Sequence, residues 1–360
     1  MDEKGYAFTP LVFLLFIPIM IIAVDFDDVV HEANSIVAIA MGGDVTYSTV
    51  TNIISATEKG GQDAGRSAAY NATRVVIDKS SNLSNPNPFF ASGQSKKYII
   101  DNTLPVLNAN VIATCLDMEK QTGREIYINN IKITNYTNAT FSASDITITQ
   151  TEPFGFYINL RGGIPIKVVQ KDQVYEGTLP SISSYVSIRG MEDPYIWVNS
   201  KQRTSNIIYE YPYYKDYENS YFFDENVSVD DHRLNFLWEC LNGTDNPSQI
   251  TPRPYYFPDP LGGLTFFDRL ENRSTSSDSN NKTWMSTFIL GDPLKDEHAG
   301  NEIVSRLDHE YFSGVTTNVG PIYIGTGNDK EPMQDSSGTA VFYLSKKYKD
   351  FFGLDDWYNN

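Results

Sequence analysis

Hydrophobic and polar positions divide this chain into three regimes. The first is continuous: residues 11–24 carry neither a charge nor a hydrogen-bonding side chain. As a helix, residues 6–24 would span about 28 Å, close to the hydrocarbon thickness of a bilayer. Pro18 removes one helical hydrogen bond and predicts a kink. The second regime has helical spacing. Val29, Val30, Ala33, Ile36, Val37, Ala40 and Met41 share one face. Beyond Gly42-Gly43 the stripe resumes with Val50, Ile53, Ile54, Thr57, Gly61, Ala64, Ala68, Ala72, Val75 and Val76. Its small middle residues permit close backbone approach, and the glycine pair is the expected hinge or break. A helix running unbroken from residue 11 to 57 would be roughly 70 Å long. Ordinary core helices of a globular domain are the competing reading.

The third regime is short alternation. Residues 80–97, rich in Ser, Asn and Pro, predict a loop. A helix is expected over 105–121, with Pro105 at its first position and Gly123 beyond its end. Strands are then expected at 125–128, 131–134, 145–149, 156–160, 164–170, 185–188 and 195–198, separated by Gly, Pro or Asn. A short helix with Trp238 and Cys240 is expected over 231–241, irregular chain over 252–264 and a mobile surface loop over 271–282. Strand signals return at 320–324 and 340–344, and an aromatic tail over 348–358 is expected to pack back. The fold class is α+β: a long N-terminal hydrophobic helix, an amphipathic helical stem over 25–80, and a β-rich domain over 97–360. That domain is an antiparallel sheet or sandwich, with a subdomain boundary near 194–205.

Charge narrows the partners. A net charge of −17 argues against nucleic acid, whose phosphates demand a basic surface. It suits a soluble surface outside the cell, and it also suits an acidic cytoplasmic protein. Outside the cell a disulfide between Cys115 and Cys240 is allowed, and two buried thiols are the other reading. Asn-x-Ser/Thr acceptors stand at Asn71, Asn82, Asn135, Asn138, Asn226, Asn242, Asn272 and Asn281, candidates for N-glycosylation. Chance occurrence in an Asn-rich chain is the alternative. The 23 tyrosines fit either a β-sheet core or a recognition surface, and the 211–221 segment is the most suspect for exposure.

Catalytic patterns are sparse. His31, His232, His298 and His309 stand in no HExxH or zinc-knuckle spacing. Asp230-Asp231-His232, Asp296-Glu297-His298 and Asp308-His309-Glu310 place acids beside imidazoles, but sequence neighbours point different ways. Gly325-Thr326-Gly327-Asn328-Asp329 lacks the features of a phosphate loop. With Glu331 and Asp335 it offers oxygens to Ca²⁺, though a turn explains it as well. No G-x-S-x-G elbow occurs. These patterns lead us to expect no enzyme, no catalytic or metal residues and no cofactor.

The apolar run has three readings. A cleaved secretory signal would need a positive n-region and a small-residue cleavage site; here Asp2, Glu3 and Lys4 precede the run and Val24-Asp25-Phe26 ends it. A permanent anchor fits its length, and the single Lys4 favours a cytoplasmic N-terminus. The third reading rests on Lys4-Gly5 immediately ahead of the run, followed by Phe8-Thr9-Pro10-Leu11-Val12. This resembles the leader and opening of archaeal-type type IV pilin-like proteins with a class III signal peptide. Where many bacterial pilins carry Glu, this chain has Pro10. The resemblance implies removal of residues 1–5 by a prepilin-type peptidase, cutting between Gly5 and Tyr6. It also implies a retained helix, with Phe8, Leu11, Phe13, Leu14, Phe16, Ile17 and Ile21 facing membrane lipid or other pilin-like subunits. The expected role is a minor structural or adhesive subunit of a surface filament, with its C-terminal domain extracellular. The alternative is an extracellular binding protein or enzyme that uses the helix only as a tether.

Overall fold

A computed structural model describes residues 47–79, 89–135, 139–171, 173–200, 202, 205–211, 240, 255–290, 305–313, 330–334 and 340–345. The leader, the apolar run and the Gly42-Gly43 hinge lie outside the described residues, as do the expected strand at 320–324 and the aromatic tail. The described chain mixes helices with antiparallel sheets and forms two compact units. Of the described residues, the first comprises 47–57, 110–135, 139–140, 162–171 and 173–180, and the second 58–79, 89–109, 141–161 and those from 181 onward.

Two long helices contribute residues to both units. Residues 47–79 form α1. Val50, Ile53, Thr57, Ala64, Ala68, Ala72 and Val76 are all buried, as the 3.6-residue stripe predicts. Helix α2 is Gln94–Thr122. It starts well before the expected position, with Pro105 inside it. The reason lies in its buried face: Ser95, Ile99, Thr103, Leu107, Val111 and Cys115 recur every fourth residue and carry the helix through the proline. Gly123 ends it as expected, at φ +67° with its amide donating to the Glu119 carbonyl at 2.8 Å. Among the described residues, α2 is long and apolar enough to cross a membrane by length and composition, criteria that a core helix also meets.

The start of α2 is held from far along the chain. Glu271, its side chain almost fully buried, accepts the Gly93 amide at 2.8 Å and the Ser95 hydroxyl at 2.6 Å. Exposed N-terminal helix amides need acceptors, and a carboxylate also answers the helix dipole. Glu271→Ala is expected to cost about 1–2 kcal/mol, the range for loss of a helix cap. Urea denaturation of the purified chain measures it, and an unchanged midpoint would refute this capping role.

In the first unit one sheet runs in the order β2-β1-β5-β6, every neighbour antiparallel. Its strands are β1 Glu125–Ile128, β2 Ile131–Lys132, β5 Ile164–Gln170 and β6 Gln173–Leu179. Asn129 and Asn130 join β1 to β2 with φ of 54° and 61°, the conformation of a tight hairpin turn. Ile126, Ile128, Ile164, Ile166 and Val168 supply the buried face. Strand β6 was not expected, because Gln173, Glu176, Gly177 and Thr178 dilute its alternation.

In the second unit β3 (Ile146–Glu152), β4 (Gly155–Leu160) and β7 (Ile182–Ser187) form an antiparallel sheet in that order. Ile146, Ile148, Phe156, Ile158, Leu160, Ile182 and Val186 are buried. Helix α1 lies against Ile158, Ser184 and Val186, where Gly61 and Gly65 leave room. The Ser184 hydroxyl donates to the Glu58 carbonyl at 2.7 Å, and Arg66 donates to the Ser187 and Arg189 carbonyls.

A second sheet is β10-β9-β8, built from Ser305–Leu307, Met285–Leu290 and Tyr256–Pro258. Strand β8 corrects the expectation of irregular chain: Pro258 occupies the end of a short edge strand, where a missing donor is tolerated. A two-stranded ladder pairs β11 Lys330–Gln334 with β12 Ala340–Ser345, the latter as expected.

Three helices complete the described second unit: α3 Pro194–Asn199, α4 Phe266–Leu270 and α5 Asp308–Ser313. Helix α3 replaces the strand expected over 195–198. Tyr-Ile-Trp-Val has strand-like composition, but Asp193 accepts the Tyr195 amide and Pro194 takes the first helical position. The loop expected to be mobile over 271–282 is tied down instead. Ser276 and Ser277 donate to Asp268 at 2.9 and 2.6 Å, and the Trp284 indole donates to the Asp278 carbonyl at 3.1 Å.

No disulfide forms: Cys115 and Cys240 are each buried as thiols. Burial and then the Glu119 charge push the Cys115 thiol up to about 12.

Candidate functional site: a buried charged cluster

The densest concentration of buried ionisable groups surrounds Arg269. Its place follows from local sequence. Thr265 and Asp268 cap the start of α4 reciprocally, and the helix turns Arg269 into the interior. The guanidinium Nη1 donates to Asp193 at 2.7 Å. Its Nη2 donates to Asp308 at 2.7 Å and to the Met285 carbonyl at 2.9 Å. The rings of Tyr195 and Tyr256 lie 5.4 and 5.5 Å from the guanidinium carbon, within cation–π range. Tyr256 donates its hydroxyl to Asp193 at 2.6 Å. Asp193, Arg269, Tyr256 and Asp308 are wholly buried.

Burial in this setting penalises every charge, and the partners decide the outcome. Burial opposes the Arg269 charge, but Asp308 and Asp193 outweigh it and raise its pKa above the usual arginine value. Asp308 is penalised by burial, yet Arg269 and then its bond with His309 bring it below the ordinary carboxylate range. Burial raises Asp193, which Arg269 only partly offsets and the Asp308 charge reinforces. Burial likewise raises the hydroxyls of Tyr256 and Tyr195. The arrangement is a cation shared by two acids, with a phenol and backbone amides completing the carboxylates.

Next to it stands a second group. Ser286 donates its hydroxyl to Asp259 at 2.6 Å and lies 3.0 Å from His309 Nδ1. His309 Nδ1 also lies 3.6 Å from an oxygen of Asp259 and 3.6 Å from one of Asp308. A serine, an imidazole and acids therefore meet. A relay needs the serine on one ring nitrogen and the acid on the other. Here Ser286, Asp259 and Asp308 all approach Nδ1, and Ser286 donates its proton to Asp259. Ser286 and Asp259 are fully buried. Among the described residues no group of three or more His, Cys, Asp or Glu is arranged to hold a metal ion. The cluster's chemistry is that of an ionic and hydrogen-bonded core joining α3, α4, α5, β8 and β9.

Of the sequence candidates, Asp308 and His309 are brought into this cluster. His31, His232, His298 and the Gly325–Asp329 turn lie outside the described residues. Gly5, Tyr6 and the seven apolar-helix positions do so too. Among the glycosylation candidates, Asn71 is exposed on α1, Asn135 is exposed in a turn and Asn281 is exposed at a short 3-10 turn. Asn272 is half-buried at φ 50° and accepts from the Asn199 amide at 2.6 Å. Asn82, Asn138, Asn226 and Asn242 lie outside the described residues.

Sequence reading passed over Asp193, Tyr256 and Arg269. The available signal was local: an arginine between Phe267 and Leu270 in a short, apolar capped helix. Comparison with protein-family models, curated proteins and solved structures finds no match for this chain.

Proposed function

We propose that the protein is a pilin-like surface subunit, anchored by its N-terminal apolar helix, with its folded domain outside the cell. The observation that carries this reading is the charge-free run over residues 11–24, directly after Lys4-Gly5 and leading towards the amphipathic α1. The small-residue stripe of α1, laid on the β3-β4-β7 sheet through Gly61 and Gly65, fits a helix serving both as stalk and as domain core. The domain is large for a repeating subunit, which favours a minor structural or adhesive component of a filament. Its partners on this reading are membrane lipid, other pilin-like subunits and a prepilin-type peptidase. The acidic net charge argues against nucleic acid. On this reading Ser286 and His309 belong to the hydrogen-bonded core of the domain.

The test is the mature N-terminus. On this reading, mass spectrometry of protein recovered from the native cell surface finds Tyr6 first. A Gly5→Leu variant is expected to keep its first five residues and to remain in the membrane fraction. Recovery of uncut native protein would remove the filament role and leave the tether.

A further inference from the structure

The outward face of the β3-β4-β7 sheet carries two cross-strand rows opposite the side occupied by α1. Register places Thr149, Tyr157 and Tyr185 in one row and Thr147, Asn159 and Ser183 in the next. Thr147, Thr149 and Ser183 are exposed, and Tyr157, Asn159 and Tyr185 are half-exposed. None of the six is charged, on a chain whose net charge is −17.

The rows are built rather than merely solvated. Asn159 donates to the Thr149 hydroxyl at 2.8 Å and accepts from the Ser183 hydroxyl at 2.7 Å. That chain fixes the amide's orientation across three strands. The Tyr157 and Tyr185 rings are 5.3 Å apart. A Cβ on Gly155 would come within 2.4 Å of the Tyr185 ring. Gly155 therefore lets that ring lie down along the strand instead of standing off it. Charge enters at one end only, where Arg189, paired with Glu210, lies 3.5 Å from the Tyr185 hydroxyl and Glu152 reaches the same hydroxyl.

We propose that this face binds a neutral carbohydrate. A sugar ring has an apolar C–H face that fits over an aromatic ring, and an edge of hydroxyls that pairs with amides and side-chain hydroxyls. Two tyrosines beside a fixed amide–hydroxyl row supply both halves of that match. Charge decides against other partners. An anionic polymer meets the repulsion of an acidic protein, and a cationic one finds no carboxylate within the six positions. This inference supplies the adhesive half of the function proposed above, yet it does not depend on the leader being cut.

The full chain, purified in detergent, is tested on an array of neutral hexose and N-acetylhexosamine oligosaccharides, with sialylated and sulfated oligosaccharides beside them. Binding to at least one neutral class is expected, weakened 10-fold or more by Tyr157→Ala or Tyr185→Ala. Thr149→Lys puts a charge on the exposed face and removes the acceptor of the Asn159 amide; it is expected to weaken binding as strongly while leaving the circular dichroism spectrum unchanged. Three results would overturn the proposal: no retention on any neutral glycan, retention confined to the charged glycans, or neutral-glycan binding indifferent to Thr149→Lys. Because N-terminal sequencing is a separate readout, a failed array with Tyr6 at the mature N-terminus sinks the sugar site and spares the filament reading.

Discussion

Arg269→Met should lower the stability of the folded domain by about 3–5 kcal/mol, the cost of removing one member of a buried ionic network. The side chains of Arg269, Asp193 and Asp308 are all fully buried. Methionine fills much of the same volume, so the loss is electrostatic rather than a cavity. Asp193 would lose its cation, Asp308 would keep only His309 beside it, and the Met285 carbonyl would lose its 2.9 Å donor. The pH dependence gives a second check. In the wild type Arg269 helps hold Asp308 below its ordinary pKa, so that group's stabilisation is lost as pH falls through the depressed value. In the variant, burial and mutual repulsion raise both carboxyls, so the folded state binds protons more tightly than the unfolded chain. The variant's stability therefore rises as pH falls, and the gap between the two proteins narrows in acid. Combining Arg269→Met with Asp193→Asn and Asp308→Asn should recover part of the loss, because no buried charge is then left unpaired. Urea titrations at neutral and mildly acidic pH measure all of this. A single variant as stable as wild type at neutral pH would mean that the network contributes nothing net to folding.

What could be read in the sequence was what repeats along it. Most of the α1 stripe reappears as the buried set from Val50 to Val76, with Ile54 and Val75 only half-buried, and β1 and β5 occupy the residues expected of them. Each miss has a local competitor. Tyr195 to Val198 has β-favouring composition, but one carboxylate at Asp193 followed by proline decides for helix. Pro105 marks a helix start in isolation, yet a face buried every fourth residue overrides the loss of one hydrogen bond. The charged cluster could not be read at all, because nothing periodic connects its members. Asp193 and Arg269 are 76 residues apart, and Arg269 and Asp308 are 39 apart. Only the folding of α3, α4 and α5 onto β8 and β9 places them together. Asp308-His309 was conspicuous in sequence, but Ser286 and Asp259, which meet the imidazole, come from 23 and 50 residues away.

Replacing Gly65 with valine should destabilise the domain by about 3 kcal/mol or more, at or beyond the top of the range for overpacked cores. On an exposed helix, exchanging glycine for a residue with a side chain normally gains a few tenths to about 1 kcal/mol. The sign reverses here because of what lies opposite. A Cβ at this position would stand 2.2 Å from Ile158 Cδ1 and 2.7 Å from Val186 Cγ2. Both neighbours are buried side chains of β4 and β7; the Ile158 methyl can rotate away, but the β-branched Val186 leaves a valine at 65 little room without lifting the helix. Alanine at the same position should cost less, about 1–2 kcal/mol once its better helix propensity is counted. Ser67→Ala, on the exposed side of the same helix, should stay within about 0.5 kcal/mol of wild type. The ordering matters more than any one value: the penalty must grow with side-chain size at 65 and vanish at 67. It also bears on the proposed stalk, since a helix that continues from a membrane into a folded domain must be gripped along its length. If Gly65→Val unfolds at the wild-type urea concentration, α1 is not seated on this sheet, and the support it lends to the pilin-like reading is withdrawn.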